Sequence, residues 1–250
     1  MNAPARSRVV VMIPTYNEAG NIGGLIEAIL ALPLPGFDLR VVVADDDSPD
    51  GTGKIVESMA AADPRIQALI RKKRRGRGAA GIDGFKAALA LGADYVVEMD
   101  GDFSHQPKYI PALLAAARTH DVVIGSRFVP GGKDADRGLH RRLVTLCVRT
   151  FIRRAYKIVI RDVSSGFRCF RREALEAVDL DDLISVGQSI VLEILRKTDL
   201  LGFSMAEVPI VFIDRTRGET KLDFWALLET LLMALKFRKR YTLAKIKPVR

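Results

Sequence analysis

Two aspartates one residue apart, Asp100 and Asp102, end the apolar run YVVEM in the stretch YVVEMDGDFSHQP, residues 95–107. Carboxylates this close repel each other unless a cation lies between them. Hard oxygen donors suit Mg²⁺ or Mn²⁺, ions usually shared with the phosphates of a bound nucleotide. The same residues also read as a solvated Asp-Gly-Asp turn, because Asp and Gly favour turns for conformational reasons alone. A second acidic cluster, ADDDSPDGT at residues 44–52, ends another apolar run. Its Asp45 or Asp46 could accept hydrogen bonds from a base or a ribose, while Ser48, Asp50 and Thr52 are also good helix caps. His105 reads as a residue that shapes its turn or meets a phosphate, ahead of ligating a metal, and His120 and His140 read as surface residues.

The elements that must position these acids alternate between strand and helix. A strand is expected at residues 8–13, ended by Pro14, and then a helix with Ile22, Leu25, Ile26, Ile29 and Leu30 on one face. Strands at 39–44, 66–70, 95–98 and 121–124 then interleave with helices at 55–62, 79–91 and 107–118. Such alternation predicts a mostly parallel sheet flanked by helices, with ligands bound beyond the carboxyl ends of the strands. Both acidic clusters fall on that edge. Further on, a basic helix at 138–157 places Val144, Cys147, Val148, Phe151 and Ala155 on one face and Arg142, Arg149 and Arg153 on the other. The loop DVSSGFRCF, a helix at 189–196 and a strand at 208–213 follow. A closing helix at 222–238 aligns Phe224, Leu227, Leu228, Leu231 and Leu235. Asp223 and Glu229 interrupt it and it is shorter than the ~20 residues a bilayer needs, so it is read as lying on a membrane or in the core, not as crossing.

With 250 residues, 48% hydrophobic and 28% charged, the chain suits one globular domain and excludes a long disordered or fibrous chain. The formal net charge of +9 favours an anionic partner. The cluster RKKRRGR at residues 71–77 lacks interleaved aromatics and a nucleic-acid reader module, so it reads as a mobile loop drawn to anionic lipid or diphosphate. Cys147 and Cys169 have no metal-binding spacing, which points to free thiols in a reducing cytoplasm. No secretory leader is expected at the start.

PTYNE (14–18), DDDSPDGT (45–52), MDGDFSHQP (99–107), GSRFVPGG (125–132), SSGFRCFRRE (164–173) and EVPIVFIDRTRGETKL (207–222) occur in that order. Together they resemble the motifs of polyprenyl-phosphate mannose synthases, family 2 inverting glycosyltransferases of GT-A fold. The resemblance implies a single GT-A (Rossmann-like) domain over residues 1–222, with an acceptor-side helix at 138–157. Residues 223–250 would form a C-terminal amphipathic helix and basic tail. It further implies transfer of mannose from GDP-mannose to a polyprenyl phosphate. Pro14, Tyr16, Glu18 and Asp45 or Asp46 would surround the nucleoside, with Gly101 beside them. Asp100 and Asp102, with Ser104 as a third ligand, would hold Mg²⁺ or Mn²⁺ and the diphosphate. Arg127, Arg141 and Thr145 would meet the acceptor phosphate, and Arg215 and Lys221 would close over the diphosphate, with Asp102, Arg127 and Arg215 central to catalysis. The chain departs from the pattern at Asp47, where a small or polar residue is usual, at RRGRG (74–78), which replaces a less basic KxGLG-like turn, and at Gly101, where alanine is common. The expected location is peripheral, on the cytoplasmic face of a membrane, with or without a separate anchoring subunit and without nucleic acid.

The chemistry can also be argued from the acceptor. A hydroxyl acceptor needs a general base, whereas a phosphate monoester already carries an oxyanion at neutral pH. The site must then hold two phosphates close and in line and stabilise the leaving diphosphate, tasks suited to arginines and a divalent cation. Two readings remain beside mannosyl transfer: the same chemistry with another donor such as UDP-glucose, and a non-catalytic basic membrane adaptor on a transferase fold.

Overall fold

The computed structural model describes residues 6–73, 75–134, 139–213 and 224–242. The chain opens with strand β1 (Ser7–Thr15), helix α1 (Ile22–Leu30), β2 (Phe37–Asp45), α2 (Thr52–Ala62), β3 (Ile66–Ile70), α3 (Arg77–Ala90) and β4 (Tyr95–Glu98). A 3-10 turn (Pro107–Tyr109) then leads into α4 (Ile110–Ala116), β5 (Val122–Ser126), β6 (Lys133–Asp134) and α5 (Leu139–Tyr156). The rest comprises β7 (Arg168–Arg171), α6 (Arg172–Ala177), α7 (Ile190–Leu200), β8 (Met205–Pro209), β9 (Val211–Phe212) and α8 (Phe224–Arg240). Among the described residues, one sheet has the order β3-β2-β1-β4-β7-β5-β8, and β6 pairs with β9 beside it. All neighbours in the large sheet are parallel except β7, which runs antiparallel to both β4 and β5.

The apolar run of β1 is buried on both faces, as a central parallel strand must be. Val9, Val11 and Ile13 point to one side, where Ile22, Leu25, Ile26 and Ile29 of α1 cover them. Val10 and Met12 point to the other, where Ile82, Phe85 and Ala88 of α3 pack. Helix α3 lies close against β1 because Gly84 has no side chain: a Cβ there would stand 2.7 Å from Met12 Sδ. The β1 strand runs through Pro14 to Thr15 instead of ending at Ile13, since Pro14 and Thr15 still register with Ala44 and Asp45. Register brings the ends of β1, β2 and β4 together, and with them both acidic clusters.

One element runs against the expected pattern. The segment read as the loop DVSSGFRCF contains β7, which inserts between β4 and β5 with Arg168 opposite Glu98. A four-residue strand with arginines at both ends shows no apolar alternation, and Arg168 can be buried because Glu98 and the Val191 carbonyl accept hydrogen bonds from its guanidinium. The expected strand at 208–213 is in fact two, β8 and β9, which belong to different sheets.

Helix α5 is also turned from its expected face. Among its described side chains Ile152 and Tyr156 are buried, with Val148 and Ala155 packed against the same core, while Cys147 and Phe151 face outward; Val144 lies outside the described side chains. Likewise α8 buries Ala234 and Phe237 and exposes Leu232 and Leu235. Both helices carry apolar residues on more than one face, so periodicity alone could not select the inward one. Among the described residues, no helix is long and apolar enough to cross a membrane.

Candidate active site

The loops after β1 and β2 are joined by hydrogen bonds. Ser48 Oγ accepts from the Asn17 amide at 3.0 Å, Thr52 Oγ1 from the Glu18 amide at 2.9 Å and Asp50 Oδ2 from the Ala19 amide at 2.9 Å. Asp50 Oδ1 also accepts from the amide and hydroxyl of Thr52. The polar residues of SPDGT therefore hold PTYNE in place as well as opening α2. Asn17 has φ 59°, and the hydrogen bond of its amide to Ser48 helps hold this left-handed backbone. Glu18 sits inside this junction and Tyr16 stands exposed at its rim.

Asp45 and Asp46 do different work. Asp45 is fully buried and accepts from Thr15 Oγ1 at 2.8 Å, the Ser48 amide at 2.9 Å and Ser48 Oγ at 2.6 Å, which makes it the brace of the strand ends. Asp46 is held by the Arg71 guanidinium and accepts from the Gly76 amide at 2.6 Å. Arg71, the first residue of RKKRRGR, is thus held by an internal acid. Arg71 also donates to Asp83, Arg75 to Asp47, and Arg77 to Glu98 and Asp100. Acids distant in sequence pair with Arg71, Arg75 and Arg77, which a composition count cannot show.

Asp100 and Asp102 lie just past β4. Asp102, 7% exposed, accepts at Oδ1 from the Ser104 amide at 3.0 Å and the Ser104 hydroxyl at 2.6 Å. Asp100 Oδ1 receives Arg77 Nη2 at 2.8 Å. The Asp100 amide donates to His105 Nδ1 at 3.1 Å, and the His105 ring stacks on Phe167 at 5.1 Å. Burial above all, with Arg127 and Arg77 nearby, holds the His105 pKa below its usual value against the pull of Asp100 and Asp102. A neutral ring accepting at Nδ1 carries its proton on Nε2, so His105 shapes the turn here. Gly101 fits tightly, for a Cβ would stand 3.1 Å from Thr15 Cγ2.

The residues present fit a divalent cation. Asp100, Asp102 and the Ser104 hydroxyl form a hard, all-oxygen donor set, the kind Mg²⁺ and Mn²⁺ take. Among the described residues no group of three or more His, Cys, Asp or Glu side chains could hold a metal. A cation seated here would complete its shell with water and phosphate oxygens, as Mg²⁺ usually does.

Arg127 is 7% exposed and committed to Asp162, donating from Nε at 2.8 Å and from Nη2 at 2.7 Å, with a further bond to Ser164 Oγ at 2.8 Å. Burial pushes the Asp162 carboxyl up, but the charge and hydrogen bonds of Arg127 outweigh it and hold Asp162 below the usual carboxylate range. Glu207 fixes the loop by accepting from the Arg161 and Asp162 amides. Beside this pair lies a cavity of about 490 Å³ lined by Arg127, Phe128, Lys133, Thr145, Leu146 and Arg149 among others. The Arg149 guanidinium lies 4.1 Å from the Phe128 ring centre, and its Nε has no hydrogen-bond partner among the described residues. Desolvation, opposed by Asp162 but reinforced by Arg153 and Arg127, lowers its pKa from the usual arginine value. The sequence showed Arg149 only as one of several polar-face arginines.

Of the residues singled out in the sequence, the structure gathers Tyr16, Glu18, Asp45, Asp46, Asp100, Gly101, Asp102 and Ser104 at the strand ends. It places Arg127 and Thr145 together on a neighbouring cavity. Arg141 lies in α5, but its side chain lies outside the described residues, as do Arg215 and Lys221.

A family model described as glycosyl transferase family 2 matches residues 10–179. The undecaprenyl-phosphate mannosyltransferase of Micrococcus luteus is 41% identical over 86% of this chain and 88% of its own length. The polyprenol monophosphomannose synthase of Mycolicibacterium smegmatis is 37% identical over 86% of this chain and 81% of its own. The dolichol-phosphate mannosyltransferase of Pyrococcus furiosus is 37% identical over 90% of this chain, though only 62% of its own length is covered. Among solved structures, glucosyl-3-phosphoglycerate synthase of Mycobacterium tuberculosis, with Mn²⁺, UDP and phosphoglyceric acid, superposes with a TM-score of 0.69 at 21% identity over 93% of this chain and 78% of that one. That likeness shows the GT-A fold. The chain is a glycosyltransferase and belongs to glycosyl transferase family 2, alongside the polyprenyl-phosphate mannosyltransferases.

Proposed function

We propose that this enzyme transfers mannose from GDP-mannose to a polyprenyl phosphate, with inversion, on the cytoplasmic face of a membrane. The observation that carries the reading is the 41% identity, over nearly the full length of both chains, to an undecaprenyl-phosphate mannosyltransferase. The site's geometry supports it. Pro14, Tyr16, Glu18 and Asp46 border the nucleoside, and Asp45 braces the loops that carry them. Asp100 and Asp102, with the Ser104 hydroxyl, would hold Mg²⁺ or Mn²⁺. When bound, the cation would offset charge on the departing diphosphate. Gly101 leaves room for the β1 end beside them, while Arg215 and Lys221, outside the described residues, are assigned to the diphosphate by their motif alone.

The acceptor side is the cavity beside Arg127. Arg149 and Thr145 reach the lipid phosphate, with Arg141 on the same helix, and the Arg127–Asp162 pair frames the wall. The acceptor arrives with its own oxyanion, so no side chain has to remove a proton. Inversion follows if the acceptor oxygen approaches the sugar opposite the diphosphate in one displacement, and holding both phosphates in line is then the enzyme's main task.

The membrane contact would be the exposed apolar face shared by α5 and α8. Leu146 and Phe151 on α5 and Leu232 and Leu235 on α8 are exposed. A groove of about 580 Å³ there is lined by Leu146, Cys147, Thr150, Phe151, Arg154 and Arg238 among others. Apolar side chains with flanking arginines suit an interface with anionic lipid, with or without a membrane-embedded partner. A donor panel tests the function: purified enzyme, polyprenyl phosphate vesicles and labelled GDP-mannose, GDP-glucose or UDP-glucose. Lipid-extractable label from GDP-mannose alone is expected. Label from UDP-glucose instead would overturn the donor, and no transfer from any donor would favour an adaptor.

A further inference from the structure

A line of alternating charge runs beneath the strand ends and finishes at the aspartate pair. Arg168 donates to Glu98 Oε2 from Nε at 3.0 Å and from Nη2 at 2.5 Å. Arg77 bridges Glu98 Oε1, at 3.3 Å, and Asp100 Oδ1, at 2.8 Å. Glu98 and Arg168 are buried, and the Arg77 side chain is 14% exposed. Gly166 makes this possible: a Cβ there would stand 2.5 Å from Arg77 Nη2. The guanidinium thus occupies space left by a missing side chain and lies against one of the two carboxylates that a cation would need. A fixed positive charge at that distance repels a divalent ion and holds one of its ligand oxygens.

We propose that Arg77 is a positioning residue that acts as a resident counter-ion for Asp100 and sets how tightly the aspartate pair takes a divalent cation. The two aspartates alone then bind metal weakly. The cation enters together with a nucleoside diphosphate, whose oxygens supply both ligands and the negative charge that Arg77 offsets. Glu98 and Arg168 fix the guanidinium from below, so the resting site stays folded without metal. This inference rests on the reading of Asp100 and Asp102 as the cation site.

The test is Mn²⁺ binding measured by electron paramagnetic resonance on the full chain, with Mn²⁺ alone and with Mn²⁺ plus GDP, so no turnover is involved. Wild type should bind Mn²⁺ weakly alone and much more tightly with GDP. Arg77→Met should tighten binding of Mn²⁺ alone by at least about tenfold, because a unit charge a few ångströms from a divalent ion is worth that much even at the dielectric of water and the Arg77 side chain is only 14% exposed. Gly166→Ala, which crowds the guanidinium off Asp100 without removing a charge, should shift affinity the same way, and Arg77→Lys should stay near wild type. Circular dichroism confirms that each variant is folded. Unchanged or weaker Mn²⁺ binding in folded Arg77→Met and Gly166→Ala would overturn the proposal while leaving the metal site in place. A wild type that binds no Mn²⁺ even with GDP would overturn the cation site itself, and this inference with it.

Discussion

At the scale of single residues, carboxylates of one chemical type take different roles because their surroundings differ. Asp45 is saturated by Thr15 and Ser48, so Asp45→Asn should cost stability first, by about 1–3 kcal/mol for a buried acceptor lost to its donors, measured by urea unfolding. On the proposed reading Asp102 holds a cation, and Asp102→Asn should then lower transfer by at least about 10²-fold while leaving the unfolding curve near wild type. Arg127 was read from the motif GSR as a phosphate contact, and its geometry adds a structural duty. Arg127→Gln leaves the buried Asp162 carboxylate without its main partner and should destabilise the fold by about 3–5 kcal/mol. A change in activity without that loss of stability would assign Arg127 to the acceptor alone. The identities of these residues were legible in the sequence. That Asp45 braces the strand ends was not, because that depends on Thr15, 30 positions away in the chain.

At the scale of elements, the alternation of strand and helix through β5 was readable because β1 and β2 are continuous apolar runs and α1 has a clean helical period. Strand β7 was not readable, being short, charged at both ends and stabilised by a pairing of Arg168 with Glu98 that lies 70 positions back in the chain. The faces of α5 and α8 escaped for the opposite reason, an excess of apolar residues. These placements can be checked with the two thiols. Cys169 sits in the middle of the sheet on β7, and burial pushes its pKa up to about 12, whereas Cys147 is exposed on α5. Maleimide at pH 7 should therefore modify the native protein once, at Cys147, and the denatured protein twice, as counted by mass spectrometry. Two rapid modifications of native protein would contradict the position of β7.

At the scale of the whole molecule, the proposed function asks one basic chain to bring a soluble donor at the strand ends together with a lipid acceptor beside the apolar, arginine-flanked face of α5 and α8. If α5 and α8 meet the membrane, vesicles containing anionic lipid should slow Cys147 labelling several-fold at low salt, and the protection should fade as salt screens the arginines. Equal labelling with and without vesicles would remove that face from the account. The net charge pointed to an anionic partner, but not to where that partner sits, since several arginines of the 71–77 cluster are spent on internal acids. The most direct test of the central claim is transfer of radiolabelled mannose from GDP-mannose to polyprenyl phosphate, by wild type and by Asp102→Asn, with and without EDTA. The expected result is label in the organic phase for metal-loaded wild type, lost with EDTA and lost in the variant. Undiminished transfer by the folded Asp102→Asn enzyme, or no mannolipid from wild type, would contradict it.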